Sequence, residues 1–546
     1  MTHRPDPAID DPGYATLSVA SILAESAQRH ADRPALLFAG AMTTYAQLWN
    51  EVRAYAGALR DRGIRPGDRV AMIVPNVPDF ARVYYAALSL GAVVVPVHLL
   101  FKAEEIAYVL RDAEADLFVV AAPLLGEALP AAAATGIPVV TVLLPAGTPS
   151  PAGDLPRLED EAAAAEPIVR HTSTRPSDPA TILYTSGTTG TPKGAVGSHL
   201  ALVEQVHCTL IDSFNLHSGD IVFGGLPLFH TFGQTAVMNM AFRVGASIIL
   251  LPRFDADDAL ALMVAHGATV FTAVPTMYVG ILEAARRSEA RPPLRYAVSG
   301  GAALPVAVLE AFRGVFGADV HEGYGLTETA PIVSSNSLVE PIRPGTVGRP
   351  LWGVDVAIAD AEQEEQIALL TDPDALGEVV VRGHNLFKGY LGRPEATAAT
   401  IVDGWFRTGD LGRFVDGVLT IVDRKKDMIV RSGYNVYPTE VEAVIARHPA
   451  VAVAAVFGVP DDLRGQEVHV AVVPHDGHSV DADELIAFTR ERIAAYKYPR
   501  TVHVLADLPL GGSGKVLKRE LVARFSPAPT VAAAAVIPDS GVGPIA

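Results

Sequence analysis

Apolar positions early in the chain recur at helical spacing. Leu48, Val52, Ala56 and Leu59 fall three or four apart. Thr44-Tyr45-Ala46-Gln47 ahead of them has the form of a capping box, so the pattern predicts a helix ending by Gly63. Residues 69–74 then read as a short strand closed by the turn Pro75-Asn76. The most apolar long run, residues 86–101, is broken by Gly91 and Pro96 and contains His98. It reads as a buried helix, turn and strand instead of a membrane span. The same alternation continues through residues 104–120 and 136–144, the rhythm of βαβ units around largely parallel sheets.

From Gly345 the texture shortens to β runs with frequent Gly and Asp, such as Gly377-Glu378-Val379-Val380-Val381. A small barrel or antiparallel sheet suits that region. The charged stretch Asp423-Arg424-Lys425-Lys426-Asp427 marks a domain boundary. Beyond it, residues 437–525 read as a compact α+β unit, with a helix from Thr439, strands near Val451 and Val468, and a helix from Asp483. The expected divisions are a flexible N-terminus (1–14), a large domain (15–423), a connection (424–426), a small domain (427–525) and a disordered Ala/Pro/Val-rich tail (526–546).

Composition narrows the function. At 546 residues the chain has room for more than one core. Acidic residues outnumber basic ones 61 to 43, and a net charge of −18 opposes non-specific nucleic-acid binding. Cys208 is the single cysteine, so no intramolecular disulfide can form, and it reads as a small buried hydrophobe. The N-terminus has no apolar signal core and no stretch reads as a transmembrane segment, so a cytoplasmic protein is expected.

Candidate chemistry begins at Tyr184-Thr185-Ser186-Gly187-Thr188-Thr189-Gly190-Thr191-Pro192-Lys193-Gly194. Glycines free the backbone to wrap an anion, hydroxyls donate to phosphate oxygens, and Lys193 adds a compact positive charge. Apolar residues on either side predict that this loop joins two strands. It departs from the Walker pattern, because Pro192 stands where a glycine should precede the lysine. Five further segments follow: Pro227-Leu228-Phe229-His230, Tyr324-Gly325-Leu326-Thr327-Glu328, Gly404-Trp405-Phe406-Arg407-Thr408-Gly409-Asp410, Asp423 to Asp427, and Gly512-Ser513-Gly514-Lys515. Each has a plain structural reading on its own: a turn, a buried tyrosine, an acidic residue opening a helix, a core histidine, an exposed lysine.

Together, in this order, the six segments resemble the AMP-forming adenylating superfamily of acyl-CoA synthetases, stand-alone adenylation domains and beetle luciferases. The likeness runs from about residue 44 to 521. It implies an α/β fold: a large N-terminal domain of two βαβ-type parallel-sheet subdomains plus a small β-barrel, hinged to a small α+β C-terminal domain. It implies activation of a carboxylic acid by ATP with Mg²⁺, giving acyl-AMP and pyrophosphate, and then transfer to CoA. Thr185, Ser186, Gly187, Thr188, Thr189, Gly190 and Lys193 match the loop that holds the β- and γ-phosphates. Tyr324 and Gly325 match the adenine platform, Gly301 and Ala302 fall among the cofactor-binding positions, and Asp410 matches the carboxylate that accepts both ribose hydroxyls. Arg424 would add a ribose or phosphate contact. Thr327 would donate to the α-phosphate and Glu328 would hold Mg²⁺. Lys515 would bridge the α-phosphate and the substrate carboxylate. Lys426 aligns with the hinge, and Ser432, Gly433 and Tyr434 with the channel for the CoA thiol arm, although that loop could equally be a hairpin turn.

By position, the resemblance builds the acyl site from His230, Phe232, Gly233, Gln234, Ala236, Val274, Met277, Gly301, Ala302 and Leu326. His230 would be a gate or would position the carboxylate. Thr231 follows it where amino-acid-activating relatives usually carry Asp, which counts against an amino-acid substrate. The set is mostly small or apolar, so a hydrophobic acid fits better than a dicarboxylate, which would require a buried cation. Medium- or long-chain fatty acids are the first choice and aryl acids of the cinnamate or benzoate type the second, with Phe232 stacking on a ring or narrowing a tunnel. A separate carrier protein is the alternative acceptor, and homodimers are common in the family.

Overall fold

The computed structural model describes residues 16–144, 155–185, 192–372, 374–461, 463–511 and 514–526. The expected flexible N-terminus, the expected tail beyond Ser526 and Ser186 to Gly190 lie outside them.

Thr44 begins the helix Tyr45–Asp61 as its sequence predicts. Its hydroxyl accepts the Gln47 N–H at 3.2 Å, and the Gln47 carboxamide accepts the Thr44 N–H at 2.8 Å. Leu48, Val52, Ala56 and Leu59 are fully buried along one face. The apolar run 86–101, read as buried helix, turn and strand, takes in the end of the helix Pro78–Ser89 and the strand Val93–Pro96. Among the described residues no helix is long and apolar enough to cross a membrane.

Among the described residues, two large sheets follow from the βαβ rhythm. One has six strands in the order Val139–Val142, Leu117–Ala121, Arg69–Ile73, Val93–Pro96, Pro179–Thr185, Lys193–Ser198. All its pairs are parallel except the last, an antiparallel hairpin. The other has nine strands, with a parallel centre that includes Ile221–Gly224, Val270–Ala273, Tyr296–Ser299 and Val320–Gly325, and antiparallel pairs at both edges. In the six-stranded sheet, Val70, Met72 and Val94 join one hydrophobic cluster while Ala71, Ile73, Val93 and Val95 join another. Both faces are buried, which is why these strands read as continuous apolar runs without alternation.

Of the barrel and the small antiparallel sheet admitted by the sequence after Gly345, the described pairing is that of the sheet. Val354–Ala359, Gly377–Gly383 and Trp405–Val415 pair in that order, and both Ile401–Val402 and Val418–Arg424 pair with Trp405–Val415. The described chain divides into two compact units, one ending at Lys426 and including Leu510–Val516, the other beginning at Asp427. The second unit has its own core of Val441, Ile445, Val456, Val470 and Leu485. Its long hairpin Val451–Asp461/Gly465–Pro474 is extended by the parallel strand Thr501–Val504 and accompanied by the helices Pro438–Ile445, Ala482–Arg490 and Lys518–Phe525. Its α+β character is that expected from the sequence, but Leu510–Val516, inside the expected bounds of 427–525, belongs to the first unit.

Candidate active site

The glycine-rich loop joins two antiparallel strands, and their register sets Thr185 directly opposite Lys193. Its base is tied down by polar contacts. The Tyr184 hydroxyl donates to Asp112 at 2.8 Å, the Tyr108 hydroxyl to the Pro192 carbonyl at 2.8 Å, and Arg393 pairs with Asp112 at 2.7 Å. These contacts fix the described base of the hairpin.

Strand Val320–Gly325, paired on both sides within the nine-stranded sheet, carries Tyr324 near its end and runs through Leu326 into a single turn of 3₁₀ helix, Thr327–Thr329. Thr329 holds that turn, its Oγ1 accepting the Leu326 N–H at 2.9 Å and donating to the Pro331 carbonyl at 2.7 Å. A Cβ at Gly325 would run into the Pro331 carbonyl oxygen, so only glycine allows the chain to fold back here. The Glu328 carboxylate is buried, and its Oε1 accepts the Tyr390 hydroxyl at 2.8 Å. Burial raises its pKa, while Tyr390, Arg424 and Lys515 pull it back.

Asp410 comes from the small antiparallel sheet, where it stands directly across from Arg424. Arg424 Nε lies 3.1 Å from Asp410 Oδ1, and the Tyr324 hydroxyl donates to Asp410 Oδ2 at 2.6 Å. Glu378 on the neighbouring strand clamps the residues before Asp410, pairing with Arg407 at 2.5 Å and accepting the Gly409 N–H at 3.1 Å. Arg424 from the neighbouring strand and Tyr324, 86 residues earlier in the chain, thus meet around the Asp410 carboxylate.

His230 precedes the π-helical segment Gly233–Asn239. Its Nδ1 accepts the Phe232 N–H at 3.2 Å, which leaves Nε2 as the protonated nitrogen of the neutral ring. Burial, followed by the charges of Lys515 and His98, holds its pKa down at about 3. The Phe232 ring lies over Gly300, Ala236 is half-buried, and Val274, Met277 and Gly233 are buried. Gln234 is fully buried, and neither polar atom of its amide has a hydrogen-bond partner among the described residues. Ala302 is exposed beside Gly301, and Leu326 is half-buried.

Lys515 belongs to the first unit. Its segment is held by the Thr276 hydroxyl, which donates to the Gly514 carbonyl at 3.2 Å, and by the Gly511 N–H, which donates to the Lys515 carbonyl at 2.7 Å. A Cβ at Gly301 would stand 3.4 Å from both Lys515 Cε and Val274, and Gly301 has φ +85°, so the lysine stem passes a position suited to glycine. Burial first, then the Arg424 guanidinium, brings the Lys515 pKa down to about 8 against the opposing pull of Asp410 and Glu328.

The chain matches the AMP-binding enzyme model over residues 23–391 and the AMP-binding enzyme C-terminal domain over 440–515. The chain belongs to the AMP-binding enzyme family. It is 34% identical to a long-chain-fatty-acid–CoA ligase of Bacillus subtilis, over 92% of this chain and 94% of that protein. It is 36% identical to a feruloyl-CoA synthase of an Amycolatopsis species, over 89% and 94%. Its fold matches the crystal structure of the anthranilate CoA ligase AuaEII in complex with anthranoyl-AMP, with a TM-score of 0.87, 26% identity and 94% and 98% coverage. This AMP-binding enzyme is an acid–thiol ligase of the AMP-forming acyl-CoA synthetase class.

In this family member the second unit presents Ser432 and Gly433 at the turn of the hairpin Ile429–Arg431/Tyr434–Val436, both at positive φ. Tyr434 is exposed and stacks on Tyr496 at 4.8 Å. Lys426 is the exposed last residue of the first unit's main segment. Cys208 is buried, and burial pushes its thiol up to about 11, as suits a structural cysteine.

Two residues of the AMP-binding enzyme escaped sequence reasoning. Glu322 is a buried carboxyl raised to about 7 by burial, and it accepts the Leu304 N–H at 3.2 Å. The available signal was a Glu two positions before Tyr324, on the same face of a strand. Tyr390 contacts both Glu328 and Lys193, and nothing local in Lys388-Gly389-Tyr390-Leu391 announces it.

Proposed function

We propose that this ligase activates a hydrophobic carboxylic acid, with medium- or long-chain fatty acids as the preferred class, and transfers the acyl group to CoA. The observation that carries the reading is the convergence of Tyr324, Asp410 and Arg424, with Glu328 and Lys515 close enough to shift one another's protonation.

In the first step a substrate carboxylate oxygen attacks the α-phosphorus of ATP, and the bond to pyrophosphate breaks. Two anions meet, so the site must supply positive charge and fixed donors. Asp410, a two-oxygen acceptor, takes the ribose hydroxyls, and Tyr324 with Gly301, Ala302 and Gly325 frames the adenine. Thr185 and Lys193 hold the outer phosphates together with Ser186, Gly187, Thr188, Thr189 and Gly190. Thr327 donates to the α-phosphate, and Arg424 adds charge beside the ribose. Lys515 neutralises the charge that develops between α-phosphate and carboxylate. The neutral His230, with its proton on Nε2, is a donor suited to orienting the incoming carboxylate. Glu328 is the residue that would hold Mg²⁺. Its buried carboxylate, with one oxygen already hydrogen-bonded by Tyr390, would be an oxygen donor of the kind this hard cation takes. When bound, the ion supplies charge neutralisation at the phosphates. In the second step the CoA thiolate attacks the acyl carbonyl and AMP leaves, with Ser432, Gly433 and Tyr434 lining the thiol arm.

The apolar character of Ala236, Val274 and Met277 and the likeness to a long-chain-fatty-acid–CoA ligase support the fatty-acid class. The Phe232 ring over Gly300, with the likeness to a feruloyl-CoA synthase, favours aryl acids as the second reading. Mass spectrometry of products formed with ATP, Mg²⁺, CoA and octanoate, palmitate, cinnamate, benzoate or malonate tests both. Acyl-CoA from octanoate or palmitate with stoichiometric AMP is expected. Turnover confined to the aryl acids would replace the first reading by the second, and malonate turnover would sink both. Acyl-AMP without acyl-CoA would redirect the second step to a carrier protein.

A further inference from the structure

Tyr390 touches two groups that the proposed reaction needs, Glu328 and Lys193. Its hydroxyl donates to Glu328 Oε1 at 2.8 Å, and Lys193 Nζ lies over its ring, 5.2 Å from the centroid. The surrounding backbone fixes it. Leu391 N–H donates to the Gly194 carbonyl at 2.8 Å, Val196 N–H to Gly389 at 3.1 Å and Lys388 N–H to Val196 at 2.8 Å, beside an antiparallel bridge between Ala195 and Tyr390. Phe387 N–H donates to the Glu328 carbonyl at 2.9 Å. The same short stretch is therefore hydrogen-bonded both to the strand that carries Lys193 and to the turn that carries Glu328. The Tyr390 N–H is taken by Thr397 Oγ1 at 2.9 Å, and its ring packs edge-on against Phe387 at 4.9 Å.

We infer that Tyr390 is a positioning residue that couples the phosphate-hairpin lysine to the metal-bearing carboxylate, its ring holding Lys193 and its hydroxyl orienting Glu328. The inference rests on the proposed reading of Lys193 and Glu328 as nucleotide-site residues. A lysine waiting for phosphate needs a partner that keeps it in place without neutralising it. A carboxylate would compete with the phosphate, whereas an aromatic face attracts the ammonium weakly enough to be displaced. The phenol is suited to the other task. It donates one hydrogen bond, fixes one carboxylate oxygen and leaves the second for a cation.

Calorimetric titration of the full-length chain separates the two tasks, using ATP in EDTA and then Mg²⁺ added to the ATP-saturated protein. Tyr390→Phe keeps the ring and removes the hydroxyl. It should bind metal-free ATP like the parent, while the Mg²⁺ concentration for half-saturation rises about tenfold. Tyr390→Met fills similar volume without a π face, and should in addition weaken metal-free ATP about two- to fivefold. Tyr390→Leu substitutes for it if a thermal melt shows that the methionine variant does not fold. An unchanged Mg²⁺ requirement in Tyr390→Phe, or an equal loss of metal-free ATP in the Phe and Met variants, would overturn the inference. Glu328→Gln and Lys193→Gln keep the two levels apart. If they alter binding and the Tyr390 variants do not, Tyr390 alone is misassigned. If they too bind as the parent does, the reading of the site itself fails.

Discussion

At the scale of single residues, charge held in a buried setting decides what each candidate can do. A Lys515 ammonium brought down to about 8 is charged at neutral pH and begins to lose its proton just above it. Adenylation kcat/KM, which reports the free enzyme, should therefore fall as pH rises through about 8, approaching tenfold per unit beyond it. Pyrophosphate exchange measured across pH checks this, and a flat profile to pH 9 would contradict it. Lys515→Ala should lower acyl-AMP formation by at least about 10²–10³-fold, the scale for losing one preorganised charge or donor. It should still form thioester from supplied acyl-AMP, so an equal loss of both half-reactions would argue against the assigned role. His230, held at about 3, stays neutral through this range and contributes no limb to the profile. Asp410 and Tyr324 could be picked out in the sequence because each sits in a distinctive run. Tyr390 could not, because its contacts with Glu328 and Lys193 come from neighbours distant in the chain.

At the scale of elements, local rules held wherever a signal is completed within a few residues. Thr44 and Gln47 satisfy each other's backbone partners across one helical turn, so the capping box was legible. Thr44→Ala should lower stability by about 0.5–2 kcal/mol, read from the first transition in urea denaturation, with adenylation kinetics unchanged. A loss above about 3 kcal/mol would mean that Thr44 serves more than the helix end. The strand Arg69–Ile73 was legible for another reason. Its residues send alternate side chains into two different cores, so its apolar run marks a strand covered on both faces. Which strand lies beside which was not legible, since the nine-stranded order passes from Val270–Ala273 to Ile221–Gly224, Ser247–Leu250 and then back to Pro34–Phe38.

At the scale of the whole molecule, the charged stretch around Arg424 marks a change of unit, and the first unit's main segment ends at Lys426. Lys425, Lys426 and Asp427 form a turn. If this turn is the hinge on which the second half-reaction depends, Lys426→Pro, which restricts φ there, should spare adenylation and slow thioester formation. Separate assays of the half-reactions check this, and loss of adenylation would mean a misplaced hinge or a damaged fold. The sequence by itself determined the alternation of helices and parallel strands and the family, and it named the residues proposed for the nucleotide site. Those follow from spacing, capping and short motifs, whose physics acts between near neighbours. Only the tertiary structure decided that Tyr324 and Arg424 share Asp410, that Lys515 passes Gly301, and that Tyr390 joins Lys193 to Glu328. These pairings depend on the order and register of strands far apart in the chain, and burial and charge at such meeting points exist only once the sheets are packed.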